Sequence, residues 1–291
     1  MTAHPAFFQF KTSMDDGLNQ AFESFGLPRL GGASGRGWSM YTALQRCPYL
    51  YFRKYREPLT DGDPRGESIN LAIGSCFHAF MALYYYPSYT TADGCIVPAP
   101  LELKDKLLEL DVDAEALAEA WRLYGAYQFH YESEIWNPLA VELHASHPNG
   151  ATCRYDLIVE IPEATSDYPA GTYIVDHKTM SRFDGASLEA WMSDGEIIGQ
   201  QWIYEAAGLS ETYGELTGSI VNIVGKQKVP QFARMVIPFE SDRTARHGRE
   251  IAAWNSQIAI HSATELWPRA RGNCVGRYGL CDLFTHCVGK D

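Results

Sequence analysis

The run Ile174-Val175-Asp176-His177-Lys178-Thr179 constrains this chain most. An apolar approach ends in a carboxylate and, two residues later, a lysine. In a strand, period-two alternation puts Asp176 and Lys178 on one face and His177 on the other. A carboxylate able to hold a divalent cation then stands beside an ammonium able to orient a water or steady a phosphate. Metal-assisted phosphodiester hydrolysis needs that local chemistry. A solvated strand edge produces D-x-K by itself, so the motif takes its weight from its neighbours.

Those neighbours order the chain. Ser39 is a candidate cap for a helix carrying Leu44, Cys47 and Leu50 towards Tyr55. Pro58 to Gly66 reads as a turn-rich break. Ile69 to Tyr86 has helical spacing at Leu71, Gly74, Phe77, His78, Met81 and Tyr85. Pro87 to Pro100 reads as a loop, and Leu101 to Trp136 as two charge-laced helices. The texture then changes to short β-rich runs, Leu139 to His144, Cys153 to Ile161 and Tyr173 to Lys178, parted by turn residues. A helix over Leu188 to Leu209, strands over Gly218 to Val224 and Phe232 to Pro238, and an amphipathic helix over Ser241 to Ile260 follow. This order predicts an α/β fold with a central mixed β-sheet flanked by helices. The expected organisation is a flexible segment over 1–37 and one domain over 38–291. That domain divides into a largely helical part (38–136), a catalytic α/β core (137–260) and a cysteine-rich segment (261–291).

At 291 residues the chain can bury a large core. No apolar run reaches the roughly 18 residues that a membrane span needs, and no membrane partner is expected. Met1-Thr2-Ala3-His4-Pro5 lacks the basic and apolar regions of a secretory signal, so the expected location is cytoplasmic. There the seven cysteines read as thiols or metal ligands rather than a disulfide framework. The formal net charge of −12 argues against broad adhesion to nucleic acid. Arg46, Arg53, Lys54 and Arg56, set among aromatics, are a local exception.

Five pieces with chemical potential fall in order: Gly74-x-x-x-His78 on a helix, Glu142 on the first strand, Asp156 on the second, Asp176-x-Lys178 on the third, and Gln200-x-x-x-Tyr204 on a helix. Each alone is more often an ordinary core or surface residue. Their order on three successive strands flanked by helices makes the joint case. The set resembles the RecB/AddB-like branch of the PD-(D/E)XK nuclease superfamily, to which many phage exonucleases belong. The matching residues are Gly74, His78, Asp156, Asp176, Lys178, Gln200 and Tyr204, over roughly Tyr41 to Cys287. Cys153 stands where that branch often has glycine.

The resemblance implies a restriction-endonuclease-like core. It implies Mg²⁺ or Mn²⁺ held by His78, Asp156, Asp176 and the main-chain carbonyl of His177. Such a cation polarises the scissile phosphate and acidifies a water. Lys178 positions that water or offsets developing charge, while Gln200 and Tyr204 orient lysine, water or nucleic-acid backbone. Glu142 is either a further carboxylate of the site or a solvated strand-edge residue.

A subgroup of the same branch carries one cysteine before the nuclease core and three after it, together holding a [4Fe–4S] cluster. Cys47 and the closing Cys274-x6-Cys281-x5-Cys287 match that pattern, with a longer first interval than is common. The resemblance therefore implies an iron–sulfur lobe stapling the two ends of the domain. Zinc and unligated thiols are the competing readings. Cys76, Cys95 and Cys153 read as small apolar packing residues.

The leading expectation is a metal-dependent exonuclease on single-stranded DNA or duplex ends, in recombination, repair or phage DNA processing. The alternative is a catalytically silent nucleic-acid-binding or assembly protein that keeps the fold. A third reading is a nuclease within a larger machine. The chain has no G-x-x-x-x-G-K-[ST] motif, so any helicase partner would be a separate polypeptide. A homo-oligomer is a further partner compatible with the sequence.

Overall fold

The computed structural model describes residues 13–27, 29–30, 36–57, 68–86, 98–181, 183–276, 279–281 and 283–288. The helices are α1 (Met14–Ser24), α2 (Trp38–Arg46), α3 (Pro48–Tyr51), continued by a π-helical turn (Phe52–Arg56), α4 (Ile69–Tyr85), α5 (Pro100–Glu109), α6 (Ala114–His130), α7 (Gly185–Glu189), α8 (Gly195–Ala206), α9 (Ser210–Tyr213), α10 (Ser241–Thr264) and α11 (Phe284–Val288). The strands are β1 (Asn137–Ser146), β2 (Thr152–Ile161), β3 (Gly171–Met180), β4 (Leu216–Gly225) and β5 (Gln231–Pro238), with a two-residue hairpin, β6 (Val275–Gly276) and β7 (Gly279–Leu280), near the end.

The five long strands form one sheet in sequence order. Only β3 and β4 run parallel; the other neighbours are antiparallel. A parallel neighbour requires a crossover, and the stretch containing α7 and α8 supplies it. The alternation of apolar residues then divides the core into two layers. Leu157, Val159, Val175 and Ile220 pack with the helices α1, α4, α5 and α6. Ile158 and Ile174 pack with Tyr204 of α8 on the other layer. The mixed sheet between helical layers is the expected α/β architecture.

Three local expectations differ from the structure. Residues 14–24 of the segment expected to be flexible are a helix. Ser13 caps it by accepting from the Asp16 amide at 3.2 Å, and it buries Met14, Leu18, Ala21 and Phe22. Its signal was the helical spacing of those four residues. Second, α2 starts on Gly37 without a side-chain cap, which leaves Ser39 inside the first turn. Third, α2 does not run on to Tyr55. Pro48 disfavours helical backbone at Cys47, which is extended (φ −168°, ψ 118°) and breaks the helix there. The Pro58–Gly66 break, most of the Pro87–Pro100 loop and Cys95 lie outside the described residues.

Phe80 on α4 is fully buried, with its ring edge-on to Trp121 at 5.1 Å. Phe80→Ala should cost roughly 3–5 kcal/mol, read as a lower urea midpoint at unchanged slope. Phe129→Ala, at a residue 79% exposed, should stay within about 0.5 kcal/mol of wild type.

Candidate active site

The site forms where two strands part. Ladder pairing between β2 and β3 runs from Ile161–Gly171 to Leu157–Val175 and stops. The next amide of β3 with a ladder role, His177 N, donates to the Asp156 Oδ2 carboxylate oxygen at 2.8 Å instead. A buried main-chain donor needs a partner, and here a side chain supplies it. Alternation along β3 then holds as expected. Asp176 and Lys178 face α8, while the His177 ring stacks on Tyr85 of α4 at 5.9 Å.

On that fork Lys178 Nζ lies 2.9 Å from Asp176 Oδ2 and donates to Glu196 Oε2 at 3.2 Å. Gln200 Nε2 donates to Asp176 Oδ1 at 2.9 Å. The Tyr155 hydroxyl donates to the Gln200 carbonyl at 3.0 Å, anchoring that turn of α8 to β2. From α4, His78 Nδ1 comes within 3.4 Å of Asp156 Oδ2. Gly74, one turn earlier, meets only Thr179 Oγ1 at 3.5 Å from an added Cβ position, so the helix lies close over β3.

Glu142 enters from β1 by an uncommon route. Its backbone has φ 51° in mid-strand, a conformation disfavoured for non-glycine residues. The β1–β2 register passes from Val141–Leu157 to Leu143–Tyr155 around it. Its Oε2 lies 2.8 Å from Arg154 Nε, an ion-pair distance without hydrogen-bond alignment.

Charge balance follows from this packing. Burial pushes the Asp176 carboxyl up to about 6, against the pull of the Lys178 ammonium. Burial and the neighbouring Asp156 charge lift Glu142 to about 7. Burial opposes the charged forms of Asp156 and His78, but their mutual attraction prevails, so the carboxyl falls and the imidazole rises. Burial likewise opposes the Lys178 ammonium, and Asp176 and Glu196 outweigh it.

Two carboxylates and an imidazole suit a hard or borderline divalent cation. Buried Asp176 Oδ2, Gln200 Oε1 and Glu142 Oε2 have no aligned hydrogen bond, which further fits a cation-binding cluster. Among the described residues, no group of three or more His, Cys, Asp or Glu side chains is gathered tightly enough to hold a metal ion as it stands. Lys178 and His78 are themselves paired with the two aspartates.

A cavity of about 250 Å³ opens from His78, Asp156, Asp176 and Lys178 towards Trp38, Trp202 and His247. Two glycines make room for its aromatic wall. A Cβ on Gly195 would fall 2.1 Å from the Trp38 ring, and one on Gly199 would sit 3.1 Å from His247 Nε2. A larger depression of about 630 Å³ beside Phe183 and Phe232 includes none of the site carboxylates.

The sequence profile of the PD-(D/E)XK nuclease superfamily matches residues 38–255. That range holds every group of the fork.

The chain belongs to the PD-(D/E)XK nuclease superfamily.

Solved structures similar to it include a candidate exonuclease from Eubacterium rectale, with 14% identity, 100% of each chain covered and a TM-score of 0.45. Another is SSO0001, with 10% identity over 65% of this chain and 82% of that one and a TM-score of 0.26. No curated protein sequence matches.

Of the residues the sequence singles out in this PD-(D/E)XK nuclease, His78, Asp156, Asp176, Lys178 and Gln200 meet at the fork. Tyr204 does not. Its hydroxyl donates to the Gly214 carbonyl at 2.8 Å, and its ring packs edge-on to Tyr155. One helical turn puts Gln200 and Tyr204 on the same face, but the phenol hydroxyl ends on the loop before β4. Glu196 and the Trp38–Trp202–His247 wall carry no motif that would single them out, since they come from separated elements.

The cysteines also assemble. Cys47, Cys274, Cys281 and Cys287 line one cavity of about 330 Å³. The Ala270 amide donates to Cys47 Sγ at 3.3 Å, the Cys281 amide to the Cys274 carbonyl at 2.7 Å, and the Asn273 side chain to the Arg46 carbonyl at 2.9 Å. Burial raises the Cys287 thiol; Arg269 lowers it, and the other three cysteines raise it further, so all four are within electrostatic reach. Cys76 is buried in the core, whereas Cys153 borders the active-site cavity, with its thiol pushed by burial up to about 12.

Burial drives the His247 imidazole down to about 4. Its folded pKa lies below its unfolded one, so the stabilisation is complete above about 6.5 and is lost as pH falls towards about 4. His247→Leu should flatten the fall in urea-derived stability between pH 7 and pH 4.5 by about 2 kcal/mol. An unchanged slope would show that His247 does not stay neutral in the fold.

Proposed function

We propose that the chain is a Mg²⁺- or Mn²⁺-dependent deoxyribonuclease of the RecB/AddB-like branch. It acts as an exonuclease on single-stranded DNA or duplex ends, in the cytoplasm, in recombination, repair or phage DNA processing. The observation that carries this reading is the convergence of His78, Asp156, Asp176, Lys178 and Gln200 from α4, β2, β3 and α8 on one fork.

His78, Asp156, Asp176 and the His177 carbonyl would hold the cation, which supplies Lewis-acid charge at the scissile phosphate and makes a water more acidic. The residues divide the remaining work. Lys178, fixed between Asp176 and Glu196, orients the attacking water and offsets negative charge developing on the phosphate. Gln200 fixes the rotamer of Asp176 through Oδ1, leaving Oδ2 towards the lysine. The His177 amide does the same for Asp156. The cavity of about 250 Å³ beyond the carboxylates, with its aromatic wall, supports capture of a strand end.

Asp176→Asn and Lys178→Ala should each lower Mn²⁺-stimulated degradation of linear end-labelled DNA at least about 100-fold, with the fold intact by circular dichroism. Degradation that survives both substitutions would rule out this site. Covalently closed single-stranded circles should resist the wild-type protein; their cleavage would replace the exonuclease assignment with an endonuclease one.

Cys47, Cys274, Cys281 and Cys287 are proposed to ligate a [4Fe–4S] cluster. Four thiols around one cavity fit the donor set of such a cluster. Its role would be a structural staple between the α2–α3 junction and the end of the chain. The protein purified without oxygen should be brown, with broad absorbance in the visible blue, and Cys281→Ser should lose the colour and part of the thermal stability. Stoichiometric zinc in a colourless protein would assign the four thiols to zinc instead.

A further inference from the structure

A row of polar side chains crosses the sheet behind the fork. His177 on β3 is in register with Asn222 on β4, and Asn222 is in register with Arg234 on β5. All three lie on the face covered by α4 and α6. Asn222 and His177 are buried, with Asn222 fully so. An uninterrupted apolar face would be the simpler core, since buried polar groups cost stability unless satisfied.

The partners here are specific. Arg234 Nε, which can only donate, makes a hydrogen bond to Asn222 Oδ1 at 3.1 Å. That fixes the Asn222 amide, whose Nδ2 therefore donates to His177 Nδ1 at 2.8 Å and to the Tyr127 hydroxyl at 3.2 Å. His177 Nδ1 accepts, so its ring is neutral and carries its proton on Nε2. Arg234 also donates to the Tyr127 hydroxyl at 2.9 Å and pairs with Glu134. Its guanidinium lies between Tyr131 at 3.6 Å and Trp136 at 3.9 Å. Tyr85 closes the set, with its hydroxyl 2.8 Å from that of Tyr127 and donating to Glu134 at 2.7 Å, and its ring stacked on His177.

The row ends at a mechanically weak point. Ladder pairing to β2 stops after Val175, so β3 is laddered only to β4 at Asp176, His177 and Lys178. The His177 main chain, which gives Asp156 its amide, is the link between this row and the fork. We propose that Asn222 and Arg234 are positioning residues: through the His177 ring they fix the β3 main chain at the site, and so set its affinity for the divalent cation. This rests on the nuclease reading above.

The test is Mn²⁺ binding to the full chain, followed by electron paramagnetic resonance, alongside kcat and KM on linear DNA. Asn222→Leu and Arg234→Met should weaken Mn²⁺ binding roughly 10–100-fold and lower kcat, with KM for DNA little changed. Leu107→Ala, destabilising at a fully buried residue of α5, a helix that carries no residue of the row or the fork, should keep wild-type Mn²⁺ affinity. Because the effect runs through His177, Asn222→Leu should add little in a His177→Phe background.

Folded variants that bind Mn²⁺ within twofold of wild type would overturn the inference, as would equal losses in both backgrounds. Asn222→Ala removes both the acceptor for Arg234 and the donor to His177 without adding volume to the buried row. It decides the matter if Asn222→Leu does not fold: weaker Mn²⁺ binding supports the inference, and unchanged binding overturns it. A wild-type protein that neither binds Mn²⁺ nor cleaves DNA would overturn the nuclease reading and this inference together. Binding and cleavage with unaffected variants would overturn this inference alone.

Discussion

The hydrogen bond from the His177 amide to the Asp156 carboxylate holds the rest of the site in place. Strands that part expose main-chain donors and acceptors, and a buried orphan of that kind costs about 1–3 kcal/mol. Asp156 satisfies the donor of β3 from the strand that has left it. One contact thus lets the sheet open and fixes a carboxylate at the opening. The position of Asp176, the reach of His78 from α4 and the cradle of Lys178 follow from where that fork stands.

Such a fork gathers buried charge, which a fold tolerates only with good pairing. Here the compensation is local. Lys178 serves Asp176 and Glu196, His78 serves Asp156, and Arg154 stands against Glu142. Burial keeps the carboxyls of Asp176 and Glu142 raised despite this pairing, and a divalent cation bound there would favour their charged forms. The strained backbone at Glu142 belongs to the same economy, because it turns a strand glutamate inward beside Asp156.

The second assembly lies away from the sheet. Trp38, Tyr41, Leu44 and Tyr51 pack with Ile251 of α10, Trp267 and Leu283 in one apolar cluster. Cys47, Cys281 and Cys287 sit at its edge, where Pro48 has forced Cys47 out of the helix, and Cys274 lines the same cavity. Packing and hydrogen bonds therefore join the α2–α3 junction to the segment over 268–287 next to the thiols. This is the geometry that a staple would reinforce.

The pattern of apolar residues made the strands and principal helices legible, because period two and period 3.6 are written into local sequence. The spacing of Asp176 and Lys178, and of Gly74 and His78, likewise fixed which side chains share a face. Local spacing says nothing about reach, so Tyr204 read as a partner of Gln200 although its hydroxyl ends on Gly214. The helix at Met14–Ser24 was present in the spacing of its apolar residues and hidden by the glycine-rich stretch after it. Sequence by itself determined the elements, the faces and the order of the chemical groups, since these follow from short-range backbone geometry. Only the tertiary structure decided that β2 and β3 separate at Asp156, that Asn222 and Arg234 line up behind His177, and that Trp38 and His247 wall the cavity. Those facts depend on strand register and helix packing between distant segments, where burial and hydrogen-bond satisfaction are settled for the whole chain at once.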